Sequence, residues 1–289
     1  MTRRDALGVL MASAAAGAAA NRPPLCLFSK HLPKLGYSDL GKAVKEIGFE
    51  GVDLTVRAAG HVLPEKVAVD LPRALDAIRA HGVAVPMITT GLISASDPAA
   101  RPTIATAAKG RVPLFKLGYW RYKGSDIERQ IEQVKSDATA LAALAKDFGV
   151  AAGFHNHSGS YVGTAVWDTR AIIAGLDPGS IGYYFDPCHA TAEGGEYGWR
   201  LSLDVALPRM KMVALKDFYW AKSGGRWRMT MCPMGEGMVD WKTFFARLAA
   251  ARFAGPVSLH VEYEAADERA AIARDFEFAR KAIATAYGA

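Results

Sequence analysis

The chain has 289 residues, 51% of them hydrophobic and 22% charged, with a formal net charge of +6, a balance that suits one large folded domain or two small ones. No uninterrupted run of about 18 strongly apolar residues occurs, which argues against a membrane-spanning helix. Like charges never cluster in blocks of roughly five or six, which argues against a nucleic-acid patch.

Residues 1–20, MTRRDALGVLMASAAAGAAA, join Arg3-Arg4 to a mildly apolar stretch and to small residues ending in Ala18-Ala19-Ala20. The segment resembles a twin-arginine export signal cleaved near Ala20, and predicts a periplasmic or otherwise exported protein. Cys26, Cys188 and Cys232 form no CxxC motif and, being odd in number, cannot all pair internally, which suits folding in a reducing cytoplasm before export.

Residues 21–289 read as one domain of short apolar strands alternating with amphipathic helices. A strand is predicted at 25–29 (LCLFS), with His31 just past its end. SDLGKAVKEIG (38–48) follows as a helix opened by Ser38 and Asp39 and stopped by Gly48, as capping chemistry requires. The second strand, GVDLTV (51–56), carries Asp53 and leads into Arg57 and His61. DLPRALDAIRAHG (70–82) has Pro72 near its first turn and Gly82 after its last, the asymmetry of a helix. Strands VAVPMIT (83–89) and VPLFKLG (112–118) bring Thr89, Thr90 and Lys116 to their C-terminal ends. The longest helix spans 125–149, and VAAGFHN (150–156) follows it as the fifth strand, ending at His155 and His157. IGYYFD (181–186), KMVALKD (211–217) and PVSLHVE (256–262) complete the set with Asp186 and His189, Lys216, and His260 and Glu262; a helix over 267–287 closes the chain.

Eight strands alternating with helices over roughly 270 residues is the arithmetic of a (β/α)8 TIM barrel, an α/β fold. The rival, a doubly wound open sheet, announces itself with a Gly-rich phosphate turn after its first strand, and FSKHLPKLG is not one. No linker or internal repeat splits the chain, so one domain is expected. Barrel active sites lie at the C-terminal ends of the strands, where these polar residues fall, six of the seven histidines among them. His155 and His157 are two apart on a strand and therefore share a face. They read as a catalytic pair, a metal site or two core histidines.

The order HNH on the fifth strand, DPCH on the sixth, LKD on the seventh, GEG in the next loop and VEYE on the eighth resembles the sugar phosphate isomerase/epimerase superfamily, the xylose isomerase-like TIM barrels. The resemblance covers nearly all of residues 21–289. It implies a divalent metal at the barrel mouth and chemistry on a sugar or related polyol. The superfamily's metal set is Glu, Asp, His and Glu on strands five to eight; carried over by position, those slots hold His155, Asp186, Ala214 and Glu262 here. Its H-x-K-D motif is Ala214-Leu215-Lys216-Asp217, and His157 falls in a substrate-binding slot.

On this reading His155, Asp186 and Glu262 form a mixed nitrogen and oxygen set for Mn, Zn, Mg or Ca, with His260 as a further donor. The alternative is a metal-free hydrogen-bond network. Lys216 is a general base with a lowered pKa, a cation holding a substrate oxygen, or the partner of Glu262. Glu262 and His157 are the other expected catalytic groups; Arg57, His61, His157, His189 and Glu236 are expected to bind substrate. Tyr119, Trp120, Trp199 and Trp220 offer faces for sugar C–H groups or for packing. The expected function is a sugar isomerase or epimerase that abstracts a proton next to a carbonyl of a small, non-phosphorylated sugar or keto-sugar. Against it stand a lyase or hydrolase of oxidised (keto) glycosides, and a non-catalytic sugar-binding barrel that has lost its metal.

Overall fold

A computed structural model describes residues 22–288; the expected export signal at 1–20 lies outside the described residues. Ten strands are present among the described residues: β1 (Leu25–Phe28), β2 (Gly51–Val56), β3 (Ala84–Thr90), β4 (Leu114–Lys116), β5 (Ala151–His155), β6 (Ile181–Phe185), β7 (Met210–Leu215), β8 (Asp217–Ser223), β9 (Arg226–Cys232) and β10 (Val257–Leu259). All but β8 and β9 close into a parallel barrel in the order β1-β10-β7-β6-β5-β4-β3-β2. The ring shuts where Leu25 pairs with Val257 and Leu27 with Leu259. β2, β5 and β6 are buried at every residue; strands covered on both faces read as continuous apolar runs rather than alternating ones.

The helices are α1 (Tyr37–Ile47), α2 (Val67–Arg79), α3 (Ala100–Lys109), α4 (Ile127–Asp147), α5 (Val166–Ile173), α6 (Pro187–Ala206), α7 (Trp241–Ala250) and α8 (Glu268–Tyr287). Each lays an apolar stripe on the barrel, such as Leu71, Leu75 and Ile78 of α2, spaced three and four residues apart to share one face. The single-domain (β/α)8 barrel expected from the alternation is the observed fold. No helix among the described residues is long and apolar enough to cross a membrane, and Cys26, Cys188 and Cys232 are free and buried.

Two features were not legible in the pattern. The seventh strand ends at Leu215, and the chain then turns out of the barrel into the antiparallel hairpin β8–β9. Gly224 and Gly225 form its tip at φ 57° and 75°, the left-handed pair a two-residue hairpin turn demands. In α6 the run GGEYG breaks the helical pattern, and Gly195 (φ 58°, ψ −152°) kinks the helix there.

The aspartate of the LKD motif holds this departure in place. Asp217 is 1% exposed. Its carboxylate accepts five hydrogen bonds, from the backbone N–H groups of Phe218, Gly235, Gly237 and Val239 and from the Trp241 indole. A Cβ on Gly237 would overlap the Asp217 carboxylate and the Phe218 carbonyl, so this glycine of GEG is required by contact. Asp217→Ala leaves those donors buried without an acceptor and should lower stability by about 3 kcal/mol or more. Gly237→Ala should destabilise as well, and denaturant unfolding of the two variants checks both; an unchanged Asp217→Ala midpoint would contradict the role assigned here.

Candidate active site

The barrel interior decides which side chains reach the mouth. Gly153 points inward on β5, where a Cβ would overlap Met212 Cε and crowd Tyr184 Cβ at 3.1 Å. His155, two residues on, shares that inward face and stacks on the Tyr184 ring at 4.6 Å. Asn156, between the two histidines, works on the neighbouring element. Its Nδ2 donates to the Asp186 carbonyl at 2.9 Å, and its Oδ1 accepts from the Asp186 N–H at 2.8 Å. Asp186 is thus fixed by a two-point clamp from β5 while it caps α6, accepting the His189 N–H on Oδ1 at 3.1 Å, with Pro187 at the first helical position where a missing N–H costs nothing.

At the centre lies an ion triad, buried at Lys216 and Asp186 and half-buried at Glu262. The Lys216 ammonium is 3.2 Å from Asp186 Oδ2 and 3.1 Å from Glu262 Oε2. The second oxygen of Glu262 meets exposed Lys30 at 3.0 Å. Burial pulls the Lys216 pKa down, but Asp186 and Glu262 outweigh it and hold the ammonium above the ordinary lysine range. Burial pushes both carboxyls up, yet Lys216 holds Asp186 and Glu262 below the ordinary carboxylate range, with His260 and Lys30 also acting on Glu262. All three are therefore charged at neutral pH, and Lys216 is a fixed cation rather than the base that its strand-end position allowed.

Around the triad the histidines are uncharged. His155 hydrogen-bonds Asp186 Oδ2 through Nε2 at 3.2 Å and the Tyr119 hydroxyl through Nδ1 at 2.7 Å. A deprotonated Asp186 requires the Nε2–H tautomer, assigned from this network. His157 donates from Nδ1 to the Ser158 carbonyl at 2.9 Å and packs on His189 with ring centroids 3.9 Å apart. Burial first, and then the Lys216 charge, depress His155, His157, His189 and His260. Lys116 is buried, its Nζ 3.3 Å from the centroid of the Tyr119 ring, with no ion pair to a carboxylate among the described residues. Burial, Arg57 and Lys216 push its pKa well down against a weaker pull from Asp53. Two lysines thus meet with opposite pKa shifts, Lys216 held above the ordinary lysine range and Lys116 pushed below it.

Beneath them sits Asp53, which accepts from Thr89 at 2.8 Å, Ser258 at 2.9 Å and Tyr184 at 3.2 Å. Burial raises it to about 6 against those hydrogen bonds. Tyr184 also lies 3.1 Å from His260 Nε2, which links this floor to the mouth. Lys116, Lys216, Glu262, His155, His157 and Arg57 line a cleft of about 110 Å³, small against the roughly 300–1,000 Å³ of typical ligand pockets. The Arg57 Nε and His189 Nε2 atoms are buried without partners. A larger groove, about 760 Å³, runs outside between the hairpin and the start of α8. It lacks the converging buried charges of the cleft, so the chemistry belongs in the smaller cavity.

The expected site residues separate accordingly. Lys216, Glu262, His157, Arg57, His155, Asp186 and His189 come together at the mouth. Glu236 does not: it is exposed in the outer groove, 3.8 Å from Arg274, because the GEG loop is tied to Asp217. His61 spends both ring nitrogens on structure, with Thr55 Oγ1 at 3.1 Å and the Leu32 carbonyl at 3.2 Å. Trp120 and Trp199 are buried, Trp220 lies exposed on β8, and Tyr119 alone of the four aromatics lines the cleft. Asn156 and Tyr184 were not among the expected site residues, and Lys116 was expected at the rim without a role. Lys116 had a sequence signal, an apolar strand ending in a cation; the amide clamp had none.

The three expected metal donors stand on one wall, but the set does not fit a divalent ion. Lys216 Nζ already lies among them, and the fourth slot is the methyl of Ala214, packed against Met87, Tyr184 and Met212. Donors must close to about 2.0–2.6 Å on such an ion. Among the described residues no group of three or more His, Cys, Asp or Glu side chains is arranged to hold one.

The neutral state of the histidines has a consequence for acid stability. His31 Nε2 accepts the Val261 N–H at 3.0 Å and is depressed by burial from 6.5 to about 4. Unfolded His31 takes its proton near 6.5 and folded His31 does not, so its contribution is complete above that pH and is lost as pH falls toward 4. By pH 4.5 the loss is about 2.5 kcal/mol. Asp53, shifted up, works in the opposite direction over pH 6 to 4. His31→Gln should therefore lower stability at pH 7 yet flatten the decline between pH 7 and 4.5; unfolding curves with the same acid slope as the parent would contradict this.

Residues 42–282 match the family model described as xylose isomerase-like TIM barrel. No curated protein sequence matches the chain. Among solved structures, an L-ribulose 3-epimerase is 17% identical with a TM-score of 0.72, covering 91% of this chain and 95% of its own. A 3-keto-D-glucoside 4-epimerase from E. coli is 14% identical with a TM-score of 0.70, covering 90% and 100%. A xylose isomerase-like TIM barrel protein from Mycobacterium smegmatis, in complex with magnesium, is 15% identical with a TM-score of 0.70, covering 93% and 99%. At such identities the likeness speaks for the fold, and with the family match over most of its length the chain belongs to the xylose isomerase-like TIM barrels.

Proposed function

We propose that this chain is an enzyme that moves a proton next to the carbonyl of a small, non-phosphorylated sugar or keto-sugar, a reaction of the isomerase or epimerase type. One observation carries the reading: a fixed ammonium and a second buried lysine, its pKa pushed well down, line the same small cleft. Abstracting a proton beside a carbonyl needs a cation for the oxygen that becomes an enediolate and an unprotonated base for the proton, which on this reading is Lys116 as the free amine. The epimerases of similar fold support the substrate class. Arg3-Arg4 and the Ala-rich run after them support export, and phosphosugars are mostly cytoplasmic.

An ammonium has three N–H donors. Glu262 accepts one from Lys216 and Asp186 pairs with the same ammonium as an ion, which leaves an N–H for the substrate oxygen. As the proton leaves, that oxygen gains charge and the hydrogen bond strengthens, which lowers the barrier selectively. Lys116 accepts the proton. Once charged it sits on the face of Tyr119, where a cation is stabilised. Glu262, held far below the ordinary carboxylate range by Lys216 and Lys30, is too weak a base for this step and instead orients Lys216. The unpartnered Arg57 Nε and His189 Nε2, with His157, are placed for sugar hydroxyls.

Keto-sugars incubated with the protein in D2O should take up deuterium at the carbon beside the carbonyl, read by NMR. Lys116→Met and Lys216→Met should each slow this by about 10² or more while remaining folded. Arg57→Ala should chiefly raise KM, and Glu236→Ala should leave both constants unchanged. Sugars that bind without exchanging deuterium would remove the catalytic reading, and a Lys116→Met variant at full rate would remove its role as base.

A further inference from the structure

We infer that the Lys216 ammonium is the resident cation of this barrel, that the wild-type chain holds no divalent ion between Asp186 and Glu262, and that a divalent-metal site lies latent beneath the lysine. Position is the first support. Lys216 Nζ bridges one oxygen of each carboxylate at 3.2 and 3.1 Å, so an ion bound by that pair would have to share its space.

Charge is the second. Asp186 and Glu262 supply two negative charges; Lys216 and Lys30 supply two positive ones at 3.0–3.2 Å. The cluster is already balanced, and a divalent ion would add two uncompensated charges to a site where Asp186 and Lys216 are 0% and 2% exposed. Uncompensated charge in so dry a place is strongly disfavoured. Removing the ammonium reverses the balance and leaves two carboxylates facing a gap of about the lysine head's size.

Nitrogen chemistry is the third. His155 Nε2 lies 3.2 Å from Asp186 Oδ2, and His189 Nε2, buried without a hydrogen-bond partner, lies 3.7 Å from the same atom. Both imidazoles are neutral, the form that ligates metal; His155 would do so through Nε2 once its proton shifts to Nδ1, on the Tyr119 side. Without Lys216 the wall would present two carboxylates and two imidazoles, donor types suited to zinc or manganese rather than to calcium, which would have to close from their present positions to hold an ion. Ala214 contributes no donor, so the lysine two residues along the same inward face supplies the charge that a ligand at that slot would otherwise help to bind.

The test uses the untagged full chain and reads metal and stability rather than turnover, so it stands apart from the proposed reaction. Wild type and Lys216→Ala are equilibrated with Zn²⁺ or Mn²⁺, dialysed, and measured for bound metal and for thermal midpoint. Lys216→Gln is the second variant, keeping a hydrogen-bonding neutral head should the alanine variant fold poorly. The expected result is wild type with no retained ion and a midpoint indifferent to chelator. A Lys216 variant should retain about one ion per chain and melt several degrees higher with metal, and it should lose both properties when Asp186→Asn is added. A wild-type chain that retains about one ion per chain and melts lower after chelation overturns the inference. So do folded Lys216 variants that bind no metal.

Discussion

Everything at the mouth of this barrel is set by one buried cation between two carboxylates. Lys216 carries no lone function; it fixes the protonation of its neighbours. Its charge keeps Asp186 and Glu262 ionised, adds to burial in holding His155, His157, His189 and His260 neutral, and helps to pull the Lys116 pKa down. A buried ion cluster is a poor source of stability, because desolvation consumes most of its Coulomb gain. Its value lies in preorganisation: the dipoles are fixed before a substrate arrives.

Such a cluster persists only if the fold over-determines it. The Asn156 amide grips the Asp186 backbone on both sides, α6 starts at the same residue, and Gly153 yields the volume that Met212 and Tyr184 fill. On the other wall Asp217 pins the hairpin and the GEG loop clear of the cleft. Stability and site are therefore divided between two aspartates: Asp186 faces the chemistry, and Asp217 organises the loop beside it.

The barrel was legible because eight apolar runs, each ended by a polar group, carry the period and spacing of the fold. The hairpin was not, since DFYWAKS and RWRMTMC mix exposed aromatics with charge and bury few of their residues. α6 was hidden by its glycines. At the site, i and i+2 geometry brought His155 and His157 to one mouth, but spacing cannot tell a ligand from a hydrogen-bonded imidazole. Glu236 and His61 looked alike in sequence to the residues of the cleft; what separates them is a loop tied down by Asp217 and a ring saturated by Thr55 and Leu32. The state of Lys116 depends on Arg57 and Lys216, which are distant in sequence, so no local pattern contains it.

The central claim is that the two buried lysines are in opposite protonation states, and ¹⁵N NMR of selectively lysine-labelled protein reads that directly. At pH 7 the Nζ resonance lost in Lys116→Met should be that of a neutral amine. The one lost in Lys216→Met should be that of an ammonium that persists to the highest pH at which the chain stays folded. A Lys216 signal that titrates near neutrality, or a Lys116 signal that remains an ammonium throughout, would contradict the account.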